Sequence, residues 1–171
     1  KLVKILREYG KTIATMESCT GGGVVNAITN IEGASDVLKF SAVTYSNEFK
    51  IKMGVNKDTI DKYSVYSMET AHEMSKSISN FANSTYGVGI TGKLNRVDKN
   101  NLHGDDSTVY ISVYDSLNDK HYDSVIKAIK SKSEVTYQLC DVTNTEDIKK
   151  LIDKAKKTFS TIDIWVNNAG I

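Results

Sequence analysis

The chain has 171 residues, 40% of them hydrophobic and 25% charged, and 22 lysines and arginines against 21 acidic residues leave a net charge of +1. That length suffices for one domain with a sizeable core, and a charge so near zero gives no electrostatic case for nucleic acid or a polybasic membrane contact. No apolar run reaches the roughly 18 residues of a membrane span, no signal-peptide pattern is visible, and only two cysteines, Cys19 and Cys140, are present, so a cytoplasmic protein is expected.

In chain order, Lys1 to Tyr9 carries Leu2, Val3, Ile5 and Leu6 and meets Gly10 where a helix would end, which predicts an amphipathic helix. The run Thr12-Ile13-Ala14-Thr15 predicts a strand. It leads through Met16-Glu17-Ser18-Cys19-Thr20-Gly21-Gly22-Gly23 into the helical spacing of Val24, Val25, Ile28 and Ile31. Hydroxyls and glycines thus collect at a helix start, where unpaired N–H groups and the positive end of the dipole favour a phosphate or an oxygen gaining charge. A plainer account has Ser18 or Thr20 capping the helix while the glycines ease packing.

Leu38 to Ser46 predicts a strand, Asn47-Glu48 starts a short helical turn carrying Lys50, and Asp58 to Tyr63 reads as another short helix. The clearest long helix runs from Ser67, a capping residue, to Phe81, with Met68, Ala71, Met74, Ile78 and Phe81 recurring at three or four residue steps. Tyr86 to Gly92 is an apolar strand ending in a turn. After a polar loop from Lys93 to Asp106, Ser107 to Tyr114 and Lys120 to Ile126 form a hairpin about the turn Ser116-Leu117-Asn118-Asp119. Mixed strands and helices predict a three-layer α/β/α domain with a mixed sheet over residues 1 to 134.

Five ordered blocks carry a family resemblance: Met16-Glu17-Ser18-Cys19-Thr20-Gly21-Gly22, Gly33-Ala34-Ser35-Asp36, Thr44-Tyr45-Ser46-Asn47-Glu48-Phe49-Lys50, Gly89-Ile90-Thr91-Gly92 and Thr108-Val109-Tyr110-Ile111. Residues 1 to about 130 resemble the C-terminal domain family of the competence/damage-inducible protein CinA, whose characterised members are nicotinamide mononucleotide deamidases. The resemblance implies an amidohydrolase taking a small nucleotide to its carboxylate plus ammonia. In it Ser18 is the nucleophile and Lys50 the base, with substrate contacts at Thr20, Gly21, Gly22, Tyr45 and Thr91. The helix start from Thr20 to Gly23 would serve the oxyanion through its N–H groups. The scheme needs no cofactor and no metal, and it leaves room for a homo-oligomer.

Each residue also has an ordinary role open to it. Lys50 could be a solvated lysine, Tyr45 a core ring, Thr91 a turn residue and Cys19 a buried structural thiol. His103-Gly104-Asp105-Asp106 places three metal-binding side chains within four residues, but without a second cluster it reads as a solvated loop. The chain also departs from the family pattern. Lys93-Leu94-Asn95-Arg96 and Asp105-Asp106-Ser107 replace the expected Gly- and Pro-bearing stretches, and an expected arginine after the hairpin has only Lys130 or Lys132 as stand-ins. The alternative is therefore a catalytically weakened nucleotide-binding or interaction protein on the same scaffold.

Residues 135 to 171 form a separate pattern, an appended βαβ fragment with strands at 135–142 and 162–170 around a helix at 145–159. Asp141-Val142 and Asn167-Asn168-Ala169-Gly170 resemble parts of the short-chain dehydrogenases/reductases. The piece lacks the glycine-rich phosphate turn and the Tyr-x-x-x-Lys pair of that family, so it is not expected to bind a dinucleotide or to form an independent domain. A titration with NADH followed by Trp165 fluorescence should stay flat, and saturable binding in the micromolar range would refute this.

Overall fold

The structure, a computed structural model, describes residues 1–93, 101, 108–127 and 145–159. Two units are distinguished, Lys1–Ile129 and Lys130–Ile171. In the first, α1 (Leu2–Glu8) precedes β1 (Ile13–Glu17), α2 (Gly23–Thr29), a 3-10 turn (Ala34–Asp36) and β2 (Leu38–Val43). Then come α3 (Asn47–Lys52), α4 (Lys57–Tyr63), α5 (Met68–Ala82), β3 (Tyr86–Lys93), β4 (Thr108–Asp115) and β5 (Lys120–Lys127). The second unit contains α6 (Thr145–Phe159), at the bounds its spacing predicts. The strands expected at 135–142 and 162–170, and the side chains of His103, Asp105 and Asp106, lie outside the described residues.

The five strands make one mixed sheet in the order β2-β1-β3-β4-β5. β1 pairs in parallel with β2 and with β3, while β3, β4 and β5 pair antiparallel. The chain leaves β1 for β2 on one side by way of α2, then crosses to β3 on the other side by way of α3, α4 and α5. Such a reversal opens a crevice at the carboxyl end of the central strand.

Alternation along β1 divides the core between the two sheet faces. Ile13 joins Val3, Leu6, Ile28, Val37, Val88 and Ile90 on the side of α1 and α2. Ala14 and Met16 join Val55, Ile60, Val65, Met74 and Ile78 on the side of α4 and α5. Met16, Met74 and Ile78 are all fully buried, each contributing about 1.5–3 kcal/mol of transfer free energy.

The long helix starts where expected, with the Ser67 hydroxyl accepting from the Thr70 N–H at 3.2 Å. Its buried face is less apolar than its spacing predicts. Thr70, Ser75 and Ser79 are buried with Ala71, Met74 and Ile78, whereas Phe81 is 64% exposed and rests against Phe40 at the β2 edge. The cause lies in β3. A Cβ on Gly87 would stand 2.0 Å from the Ser75 carbonyl oxygen, and one on Gly89 would stand 2.3 Å from that of Ala71. The helix backbone rides directly on these glycines, leaving space only for small side chains.

Beyond them, α5 is tied to the antiparallel half of the sheet by polar contacts. His72 meets Asp123 at 2.8 Å and stacks on His121, while the Ser112 hydroxyl lies 3.0 Å from Nδ1 of His121. Burial, and next the neighbouring His72, push the His121 imidazole below its ordinary range. No helix among the described residues is long and apolar enough to cross a membrane.

Since any side chain on Gly89 must displace backbone, Gly89→Ala is expected to cost about 1–3 kcal/mol in urea unfolding. A loss under about 0.5 kcal/mol would show that α5 is not held at this distance.

Candidate active site

β1 ends at Glu17, and its ladder runs one residue further on both sides. The Ser18 N–H donates to the Ile90 carbonyl at 3.0 Å, and the Thr44 N–H donates to the Glu17 carbonyl at 2.8 Å. With Glu17 opposite both Val43 and Ile90, the next residues form a row of hydroxyls, Thr44-Ser18-Thr91, across the ends of the three parallel strands. Neighbouring strands in such a row lie about 4.8 Å apart. Alternation turns all three away from α2, toward the face that α3 and α5 cover.

Into this row α3 delivers Lys50. The helix starts at Ser46, whose hydroxyl accepts the Phe49 N–H at 3.3 Å, so β2 stops at Val43 and not at Ser46. The turn inverts the usual pattern of a surface helix. Phe49 is 54% exposed and Ile51 37%, while Lys50 is 2% exposed. The Lys50 Nζ donates to the Thr44 carbonyl at 2.8 Å, lies 3.5 Å from the Tyr45 carbonyl, and meets the Ser18 hydroxyl at 3.1 Å. Ser18 is itself 6% exposed. The solvated-lysine account of Lys50 is thereby overturned, and the two residues assigned as nucleophile and base are in contact.

The glycine turn is arranged differently from expectation. Glu17, fully buried, points its carboxylate back at the start of α2. It accepts from the Thr20 hydroxyl at 2.7 Å, the Gly22 N–H at 3.1 Å, the Val24 N–H at 3.0 Å and the Val25 N–H at 2.8 Å. The Gly21 N–H goes to the Ser18 carbonyl and the Gly23 N–H to that of Thr20. The expected oxyanion role is therefore corrected for the N–H groups of Gly21, Gly22 and Gly23, though not for that of Thr20. An internal carboxylate and two turn carbonyls already take those donors. Capping by Ser18 or Thr20 is likewise replaced, since α2 has Gly22 at its N-cap, in left-handed conformation, and no side-chain cap there.

The remaining site residues separate in place. Thr91 is fully buried beside Ser18, with its hydroxyl donated to the Val65 carbonyl at 2.7 Å. Tyr45 is 68% exposed, so its ring lies at the surface and not in the core, and it reaches Lys50 through its backbone. Burial raises the Cys19 thiol above its usual range, against the opposing effect of the backbone N–H of Cys19 itself, the Lys50 amine and the Thr20 N–H. A protonated thiol is a poor competitor for the nucleophile's role. No group of three His, Cys, Asp or Glu side chains among the described residues is placed to hold a metal ion.

Two residues here have no counterpart in the sequence reading. Glu17 had a local signal, an acidic residue just before a Gly-rich helix start with a hydroxyl three positions on. Thr44 opens the motif block that carries Lys50, but its place beside Ser18 exists only through strand pairing.

A family model described as the CinA C-terminal domain matches residues 1–140. The chain is 46% identical over 92 residues to a CinA-like protein of Kosmotoga olearia, in a match taking in 53% of this chain and 22% of that protein. It is 42% identical over 90 residues to a CinA-like protein of Endomicrobium trichonymphae, taking in 52% and 21%. The chain thus spans about a fifth of the length of the curated relatives it matches. Among solved structures, a competence-damaged protein (CinA) superfamily protein from Enterobacter cloacae aligns with a TM-score of 0.68 at 25% identity, covering 74% of each chain. The corresponding protein from Escherichia coli shares the fold, with a TM-score of 0.68 at 23% identity, covering 74% of this chain and 73% of that one.

Because Glu17 satisfies four donors in a dry setting, Glu17→Ala is expected to lower stability by on the order of 3 kcal/mol. Urea denaturation measures this, and a loss under about 0.5 kcal/mol would mean that water replaces the carboxylate at no cost.

Proposed function

This chain belongs to the CinA C-terminal domain family, and from that footing we propose that it is an amidohydrolase of the nicotinamide mononucleotide deamidase kind, with Ser18 as nucleophile and Lys50 as base. The observation that carries the reading is the buried 3.1 Å contact between the Lys50 amine and the Ser18 hydroxyl. A serine hydroxyl is a weak nucleophile until a neighbour takes its proton. A lysine does so only when uncharged, and exclusion of water is a force that favours the uncharged amine.

In the proposed reaction the Ser18 proton passes to Nζ as Oγ bonds to the carboxamide carbon. Negative charge then gathers on the carbonyl oxygen. The donors suited to it are the N–H groups of Cys19 and Thr20, which follow the nucleophile directly, which neither Glu17 nor a turn carbonyl takes up among the described residues, and which face the Cys19 sulfur, a weak acceptor that an oxyanion would outcompete. Lys50 next gives its proton to the nitrogen, the C–N bond breaks and ammonia leaves. Water adds to the resulting ester with its proton going to Lys50. The carboxylate departs, and Ser18 recovers its hydrogen. The reaction runs without a cofactor.

Purified protein incubated with nicotinamide mononucleotide is expected to release ammonia. Ser18→Ala and Lys50→Met should each lower kcat by about a thousandfold or more, with the folded state retained by circular dichroism. Ammonia release that persists in Ser18→Ala would reject the mechanism. Nucleotide binding without ammonia release in the unsubstituted protein is the outcome that favours the alternative, a binding protein on the same scaffold.

A further inference from the structure

Thr44 is 2% exposed, and its Oγ1 is the buried side-chain polar atom that lacks a hydrogen-bond partner among the described residues. Burying a hydroxyl with no partner costs about 1–3 kcal/mol, so an orphan of this kind calls for a reason. Its position offers one. On the preceding residue, the Val43 side chain faces α2, with Cγ2 3.5 Å from where a Cβ on Gly22 would lie. Alternation then aims Thr44 at the opposite face, where Ser18 stands in the next strand. The Thr44 carbonyl receives the same Lys50 amine that meets the Ser18 hydroxyl.

We propose that the Thr44 hydroxyl is a substrate-binding group that accepts an N–H of the reacting primary carboxamide. This rests on the amidohydrolase reading and adds to it a contact on the nitrogen side. The two sides of the amide are assigned by the donors and acceptors around Ser18. The carbonyl oxygen turns to the Cys19 and Thr20 amides. The nitrogen turns to Lys50, which must protonate it, and hence to Thr44, on whose carbonyl Lys50 is anchored. There the hydroxyl offers lone pairs that no protein donor occupies among the described residues. Held in this way, the nitrogen presents its own lone pair to the Lys50 ammonium as the C–N bond breaks.

The test compares Thr44→Val, which keeps the shape and removes the hydroxyl, with Thr44→Ser, which keeps the hydroxyl. Each is assayed for ammonia release from nicotinamide mononucleotide and for Tm, after Ser18→Ala has been shown to abolish turnover. Thr44→Val is expected to lose about tenfold in kcat/KM, mainly in kcat, while its Tm holds or rises because a partnerless hydroxyl has left the interior. Thr44→Ser should stay within about threefold of the parent. Activity of Thr44→Val within about twofold of the parent would overturn the proposal, as would equal losses in both variants or a fall in Tm accompanying the loss. Turnover that survives Ser18→Ala would instead bring down the hydrolase reading, and this inference with it.

Discussion

A lysine amine on a four-carbon stem sits in this protein at 2% exposure, and much of the surrounding architecture follows from keeping it there. Removing such a group from water costs several kcal/mol unless hydrogen bonds replace the lost hydration. The replacements come from just past the end of β2, where the last ladder bond is made by the Thr44 N–H and the carbonyls of Thr44 and Tyr45 lie near Nζ, and from the Ser18 hydroxyl one strand away. The short helix α3 gives up its own apolar burial to supply the lysine, leaving Phe49 and Ile51 at the surface. A local rule broken at one turn and compensated by its neighbours is characteristic of a functional site.

Ser18 is held from both faces of the sheet. On one side, the Glu17 carboxylate gathers the start of α2 and the glycine turn into one hydrogen-bonded unit, which fixes the backbone on which Ser18 stands. On the other, α5 lies close on β3 because Gly87 and Gly89 carry no side chain, and Val65, just ahead of α5, receives the Thr91 hydroxyl next to Ser18. The site therefore lies where the chain reverses direction across the sheet, with one helical layer supporting each face. The hydroxyl and the amine are thereby held in contact.

How much was legible depended on the range of the forces involved. The Ser67 cap and the spacing through Ile78 marked α5 because both act within a few residues. Phe81 continued the same spacing but is exposed, resting against Phe40 on the edge strand of the sheet. The serines buried on α5 were not legible as core, because only the glycines of β3 make room for small polar residues there. At the site, Ser18 and Lys50 were singled out through ordered motif blocks and not through any periodicity. Tyr45 belonged to the same blocks, yet its ring lies at the surface and its carbonyl is the part that reaches the amine.

The sequence by itself determined the local elements, the α/β class and the family, because helix caps, residue spacing and ordered motifs are written along the chain. Tertiary structure alone decided that Lys50 is dry, that Glu17 rather than a ligand occupies the donors at the start of α2, and that Thr44 stands beside Ser18 with an unpaired hydroxyl. The first and the third depend on which strands are neighbours and on how far water is excluded between them, and the second on a turn that brings the donors of the following residues back to one carboxylate. The paired strands bring into register residues 25 to 73 positions apart, and no short window along the chain contains them.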